Sequence, residues 1–324
     1  MNKKSQETII WLAWERHRRT LELCNFLEIK PTLFASSLPR IIKHPYFFVK
    51  SFLLIQRKRP NALIVQNPSV LLTSLACLLH KSFGYKLVVD AHNAGLLPES
   101  RLLEKLQFIY KYFQREADIT LVTNESLANM VRKNSGKPLN LPDKLPRPPQ
   151  LKALKLRGKY NVVYICTFGL DEPYQEVVNA GKYISNDITI YITGNYKKGP
   201  KNIIERAPQQ ILFTGFLEEI DYWNLLYSAD LVIDLTSREN CLVCGAYEAV
   251  SVGTPLILSD TKVLKEYFHK GAVFTSNRSN DIKQSIFLAL RDINRLRLDI
   301  DELRTELNNK WFMQGDSFKR MIGL

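Results

Sequence analysis

Residues 237–260 read SRENCLVCGAYEAVSVGTPLILSD. Before this stretch runs LVIDLT (231–236), and PLILSD (255–260) closes it; both have the length and the apolar, β-branched composition of buried strands. Between them SRENCLV forms a loop and CGAYEAVSVG a short helix that stops at Gly253, with Pro255 opening the next strand. Strand, loop, helix, strand is a βαβ unit, the building block of a parallel sheet covered by helices on both faces.

The same alternation runs outward along the chain. Strand-like runs recur as TIIWLAW (8–14), ALIVQN (62–67), KLVVDA (86–91), ITLVT (119–123), NVVYICT (161–167), ITIYIT (188–193) and ILFTG (211–215), with helical patterns between them. LNLPDKLPRPPQ (139–150) interrupts the series with four prolines, which neither a helix interior nor a central strand tolerates. That segment is a linker, so each side carries its own sheet. The expectation is an α/β protein of two Rossmann-like, doubly wound domains, 1–145 and 146–300, facing a cleft. Helical residues 301–324 follow, without a further strand.

The 324 residues suffice for two such cores. No apolar run reaches the roughly 18 residues of a membrane span, and the N-terminus lacks the pattern of a signal peptide. Together with an odd cysteine count of five, this predicts a reducing, cytoplasmic setting. Cys241 and Cys244 form a lone CxxC with no second ligand pair nearby; packing at a helix start is the favoured reading and a redox dithiol the other. Asp299 and Asp301 form a DxD inside a charged helical run, which reads as a solvated face. No carboxylate or histidine cluster has metal spacing, so no metal and no cofactor are expected. The absence of GxSxG, P-loop and GxGxxG patterns excludes the corresponding hydrolase, kinase and dinucleotide chemistries.

Ligands of such folds bind beyond strand C-termini, which directs attention to the segments just after strands. At the start of the 244–252 helix, Cys244, Gly245 and Ala246 leave backbone N–H groups open to an anion, the helix dipole contributes at most about 1–2 kcal/mol toward a phosphate, and Arg238 adds charge just ahead. Glu248, one turn in, either accepts hydrogen bonds from the vicinal hydroxyls of a ribose or complements the helix dipole. TGNYKK (193–198) brings Thr193, Gly194, Lys197 and Lys198; TGF (214–216) brings Gly215 and Phe216; and TFGLDEP (167–173) brings Asp171 and Glu172, which either orient sugar hydroxyls or cap the following helix.

The run ADLVIDLTSREN, GAYEAVSVGTPLILSD (229–240, 245–260) resembles the donor-site signature of the GT-B glycosyltransferases, written as E-x7-E followed by EA, G, P and I. Weaker similarity extends over nearly the whole chain, through QNPS (66–69), DAHN (90–93) and TGF (214–216). The resemblance implies a nucleotide diphosphate sugar as co-substrate, with Glu248 on its ribose. Two positions depart from the pattern. The first family glutamate falls on Asn240, while Glu239 sits one residue early, so the spacing is x8. The turn that carries the basic pair for the diphosphate holds acids here, which leaves that charge to Arg238, the helix start, or Lys197 and Lys198. VVDAHNAG (88–95) resembles a DxHN-type element that lies close to the transferred sugar in some membrane-associated GT-B enzymes. His92 is a candidate general base, with Asn93 beside it; alternatively the pair only fixes a loop.

Charge separates the halves. Residues 1–150 hold 23 Lys/Arg and 11 Asp/Glu, net +12, and the rest holds 22 and 21, net +1. PYFFVKSFLLIQRKRP (45–60) combines apolar residues with Arg57, Lys58 and Arg59, a composition suited to a helix packed on the sheet with a basic rim facing an anionic membrane. No nucleic-acid-binding motif accompanies the charge. The expected protein is therefore a peripheral glycosyltransferase on the inner face of the cytoplasmic membrane. Its acceptor would be a lipid-linked or other glycan, and its role polysaccharide or glycoconjugate synthesis. The alternative is a catalytically silent GT-B subunit that recruits a partner enzyme.

Overall fold

The structure, a computed structural model, describes residues 8–67, 69–91, 93–96 and 107–324. The chain divides into two compact units, residues 1–144 with 310–324 and residues 145–309.

In the first unit the strands β1 (Ile9–Ala13), β2 (Thr32–Leu33), β3 (Ala62–Asn67), β4 (Lys86–Ala91), β5 (Ile119–Val122) and β6 (Pro138–Asn140) form a parallel sheet in the order β2-β1-β3-β4-β5-β6. Successive side chains of a strand point to opposite faces, and here both faces are covered. Leu12, Leu63 and Val65 pack with Phe47 and Ile55 of the helix Arg40–Lys58. On the other face Trp11, Ile64 and Val88 pack with Leu23 of the helix Arg18–Phe26 and with Trp311 and Phe318 near the C-terminus. Burial on both faces is why these strands read as unbroken apolar runs.

The second unit repeats the plan. Strands β7 (Tyr160–Tyr164), β8 (Ile188–Thr193), β9 (Ile211–Gly215), β10 (Leu231–Asp234), β11 (Leu256–Ser259) and β12 (Ala272–Thr275) form a parallel sheet in the order β12-β11-β10-β7-β8-β9. Val163, Val232 and Leu258 meet Ala246, Ala249 and Val250 of the helix Cys244–Val252 on one face. Tyr164, Ile192 and Ile233 meet Val177, Ile282 and Ile286 on the other. Chain order reverses between β10 and β7, and at such a switch point the loops diverge and open a crevice beyond the strand C-termini.

The α/β, doubly wound expectation holds in both units, with helices Ser279–Arg291 and Ile293–Ile322 at the C-terminus. Three strands went unread in the sequence: β2, β6 and β12, each an edge strand of two to four residues with intermediate burial along most of its length. The Pro-rich linker begins inside β6, whose proline sits at an edge, where a missing N–H is tolerated. The helix Ile293–Ile322 runs unbroken through residue 301, because Leu296, Ile300, Leu303, Leu307 and Trp311 keep a buried stripe at steps of three and four. Among the described residues no helix is long and apolar enough to cross a membrane.

Candidate active site

The segments that follow β7, β8, β9 and β10 enclose a pocket of about 610 Å³. It is lined by residues 165–167 after β7, by Thr193 at the end of β8 and Gly194, Asn195 and Lys198 after it, by residues 216–219 and Tyr222 after β9, and by Cys244, Gly245 and Glu248 of the helix after β10. The second unit alone supplies every one of these residues.

The helix Cys244–Val252 is positioned by its small face and its end. Gly245, Ala246 and Ala249 are buried against the sheet, and a Cβ added at Gly245 would stand 2.4 Å from Ile165 Cδ1 and 2.5 Å from Asp234 Oδ2. Gly253 ends the helix at φ +80, a left-handed conformation that favours glycine. At the other end the Ala246 amide donates to Asp234 Oδ2 over 3.1 Å. Of the helix-start amides read from the sequence as open to a ligand, those of Gly245 and Ala246 are thus engaged by a carboxylate of the chain itself. Burial pushes the Asp234 carboxyl well above its usual range, the charges of Glu172 and Glu248 push it further, and the Ala246 and Gly245 amides pull the other way. Asp234 was missed in the sequence; an acid closing the apolar run LVID was the available signal.

Glu248 is half-buried, one turn after the exposed Cys244 on the same helix face. Its Oε2 accepts a 2.6 Å hydrogen bond from the Tyr222 hydroxyl of the helix Glu219–Ser228. Burial and the neighbouring Glu248 charge raise the Tyr222 phenol well above its ordinary value, so the phenol stays a donor and fixes the carboxylate at the pocket wall. Tyr222 carried no signal in the sequence, since its partner lies 26 residues away.

Gly194, at φ +86, donates its amide to the carbonyl of Gly215 over 3.0 Å, and a Cβ on it would stand 1.9 Å from the Cys166 carbonyl. This close approach of the ends of β7, β8 and β9 requires glycine. Thr193 is buried, its Oγ1 accepting from the Cys166 amide at 3.2 Å, and Phe216 is 85% exposed at the mouth. Lys198 lines the pocket, whereas Lys197 is exposed and outside the lining.

Asp171 and Glu172 turn onto their own surroundings. Asp171 Oδ2 accepts from the Thr236 hydroxyl at 2.8 Å and lies 3.2 Å from Arg238 Nε, which places Arg238 in an ion pair beside the pocket rather than in its lining. The Glu172 carboxylate accepts from the amides of Thr167 and Gly169 and from the Thr167 hydroxyl. Neither acid caps the helix Tyr174–Ala180, whose N-cap is Pro173. Phe168 in this loop takes φ +61, an unusual conformation for a bulky residue and one that concentrates at functional sites. Glu239 is exposed and Asn240 half-buried, and neither lines the pocket. Cys241 and Cys244 form no disulfide, and Cys244 lies in the pocket wall. Among the described residues no group of three or more His, Cys, Asp or Glu is arranged to hold a metal ion.

In the first unit, His92 lies outside the described residues, and Asn93 opens the short helix Asn93–Leu96. The preceding Asp90 is held by buried Arg19, Nε to Oδ1 at 2.9 Å, while Arg19 Nη1 reaches Asp143 at 2.8 Å. Burial works against the Arg19 charge, but the two aspartates outweigh it and hold the guanidinium cationic. Asn67 Nδ2 donates to the Gly95 carbonyl over 2.9 Å, joining QNPS (66–69) to the end of VVDAHNAG (88–95). The helix Arg40–Lys58 buries Phe47, Ser51 and Ile55 and exposes Ile41, Ile42, Tyr46, Val49 and Leu53. Arg57, Lys58 and Arg59 are exposed at its end, with the Arg59 guanidinium 4.1 Å from the Phe83 ring centre.

No protein-family profile and no curated protein matches the sequence. Solved structures do. Anabaena Alr3699/HepE in complex with UDP superposes with a TM-score of 0.76 at 11% identity, covering 98% of this chain and 99% of that one. Sucrose-phosphate synthase from Thermosynechococcus elongatus gives 0.75 at 15% identity over 97% and 98%. A glycosyltransferase from Rickettsia africae gives 0.73 at 12% identity over 98% of each chain. With two six-stranded, doubly wound parallel sheets and a terminal helix, this chain has the GT-B fold of the glycosyltransferases it resembles.

Proposed function

We propose that the chain is a glycosyltransferase that moves a sugar from a nucleoside diphosphate sugar to a glycan acceptor, carried on a lipid and used in polysaccharide or glycoconjugate synthesis. The observation that carries the donor half is the pocket at the C-terminal ends of β7 to β10, with Glu248 held by Tyr222 in its wall. A fixed carboxylate is suited to accept two hydrogen bonds from vicinal ribose hydroxyls. The solved relative HepE was determined with UDP, with UDP and glucose, and with UDP-glucose, which supports UDP as the first donor to test.

In the proposed step an acceptor hydroxyl attacks the anomeric carbon, the bond from that carbon to the diphosphate oxygen breaks, and the hydroxyl proton passes to a base. His92, directly after β4, is the proposed base. Lys198 and the dipole of the Cys244–Val252 helix are assigned to the leaving charge. No metal and no cofactor beyond the donor are assigned, and turnover in the presence of a chelator checks this.

The acceptor half rests on the first unit. An exposed apolar stripe runs beside Lys43, Lys50, Arg57, Lys58 and Arg59 on the helix Arg40–Lys58 and its cap. That combination suits a surface helix on an anionic leaflet, and it supports a peripheral position on the inner face of the cytoplasmic membrane. A second reading, a silent GT-B subunit that recruits a partner enzyme, is favoured by Glu239 and Asn240 standing outside the pocket lining.

Acceptor-dependent release of nucleoside diphosphate from a panel of nucleotide sugars, with a polyprenyl-linked glycan as acceptor, tests the proposal. Turnover should fall by about 10²–10⁴ in His92→Ala with nucleotide affinity intact. Nucleotide binding without release from any donor would favour the silent subunit.

A further inference from the structure

The loop after β7 already holds an anion. The amides of Thr167 and Gly169 each donate to Glu172 Oε2 over 2.8 Å, the Thr167 hydroxyl donates to Oε1 over 3.0 Å, and the Cys166 thiol lies 3.4 Å from Oε2. Converging amides and a hydroxyl are the donor set that a phosphate oxygen also takes. Cys166 and Thr167 line the pocket, so the Thr167 amide and hydroxyl border the space assigned to the nucleotide, with the Gly169 amide two residues further along the loop.

The rest of the lining offers phosphate little charge. Its ionisable carboxylates and amines are Glu218, Glu219, Glu248 and a single lysine, Lys198. At the start of the Cys244–Val252 helix, the Gly245 and Ala246 amides are engaged by Asp234. These two sets of main-chain donors are therefore committed to carboxylates of the chain. Of these two acids, Asp234 is sealed beneath the helix, while Glu172 sits on a surface loop with intermediate exposure. Glu172 alone of the pair can leave its donors without unpacking the core.

We propose that Glu172 sets how strongly the pocket responds to phosphate charge. Its carboxylate occupies the oxyanion position of the 166–172 loop and has to leave before a ligand phosphate can take the Thr167 and Gly169 amides. The proposal deepens the donor-site reading and rests on it. In the wild-type chain each phosphate added to a nucleoside improves affinity little, because its gain is offset by the charge-assisted bonds that Glu172 gives up. Without the carboxylate the same donors are open, and each phosphate counts in full.

Calorimetric titration of uridine, UMP, UDP and inorganic pyrophosphate into the full chain, as wild type, Glu172→Ala and Glu172→Gln, tests this. Uridine should bind all three proteins alike. UDP should bind Glu172→Ala about tenfold or more tighter than wild type, and pyrophosphate should bind the variant measurably better as well. Glutamine keeps the size and removes the charge, so it carries the same comparison if alanine disturbs folding. Equal or weaker UDP binding in the variants, with uridine unchanged, would overturn the role of Glu172 and leave the donor site standing. A parallel loss of uridine and UDP would reduce Glu172 to a structural clasp. Failure of UDP and uridine to bind any of the three proteins would remove the UDP donor site and this role together.

Discussion

The Tyr222 hydroxyl donates a 2.6 Å hydrogen bond to the carboxylate of Glu248, tying the helix after β9 to the helix after β10 across the pocket wall. Glu248→Gln keeps shape and one acceptor oxygen but removes the charge. Hydrogen bonds to charged groups contribute about 1.5–3 kcal/mol, so nucleotide affinity should fall by roughly one to two orders of magnitude while the melting temperature changes little. Tyr222→Phe should lower affinity less, since the carboxylate remains but is no longer oriented. Calorimetric titration of UDP into each variant checks both. Unchanged affinity in Glu248→Gln would return the residue to a purely structural role.

Asp234 makes stability depend on pH in a direction opposite to most native carboxylates. Its folded-state carboxyl titrates well above the usual value, through burial first and then the Glu172 and Glu248 charges. The folded chain therefore binds this proton more tightly than the unfolded chain, and stability is lost as pH rises from about 4, where an unfolded aspartate titrates, toward the raised folded value. Asp234→Asn removes the titration. The variant should be more stable than wild type at pH 7–8, and the advantage should vanish below about pH 4. Chemical denaturation of both proteins across that range checks the sign; a wild type that gains stability relative to Asp234→Asn on going from pH 4 to pH 8 would reverse it.

Strands buried on both faces were legible in the sequence, because burial writes itself as an unbroken apolar run. ALIVQN, KLVVDA and ITIYIT coincide with β3, β4 and β8 residue for residue. Of the four edge strands only β9 was read, from ILFTG (211–215); β2, β6 and β12 were not, since a two-residue pair such as Thr32–Leu33, half-exposed on its pleat, carries no period. In the pocket, Cys244, Gly245, Glu248, Thr193, Gly194 and Phe216 were legible as residues placed just after strands. What they touch was not: Asp234 meets Ala246 across 12 residues, Tyr222 meets Glu248 across 26, and Asp171 meets Thr236 across 65. A local pattern shows where a side chain stands but not which distant group has claimed it. Hence the two acids of TFGLDEP read as ligands or caps, while the folded loop closes on them.

The helix Arg40–Lys58 sets a prediction at the membrane. Basic side chains near an anionic leaflet contribute about 1 kcal/mol each, screened over a Debye length of about 10 Å at 0.1 M salt, whereas buried apolar side chains are insensitive to salt. Sedimentation with vesicles of phosphatidylglycerol and phosphatidylcholine should show binding that weakens as salt rises but keeps a residual component. Charge reversal at Arg57, Lys58 and Arg59 should remove the salt-dependent part, and Ile42→Asp with Val49→Asp the remainder. Both latter residues are 56% exposed, so folding should survive the change. No binding to these vesicles at low salt would contradict the peripheral assignment.

The central claim is that the pocket beyond β7 to β10 holds a nucleoside diphosphate, and amide hydrogen exchange with and without UDP, GDP or ADP tests it most directly. Groups that order on a ligand exchange more slowly in its presence. The account predicts that at least one of the three binds saturably and slows exchange in residues 165–169, 193–198, 216–222 and 244–248, with the remainder of the second unit little changed. Protection confined to other segments, or no saturable effect from any of the three, would contradict it.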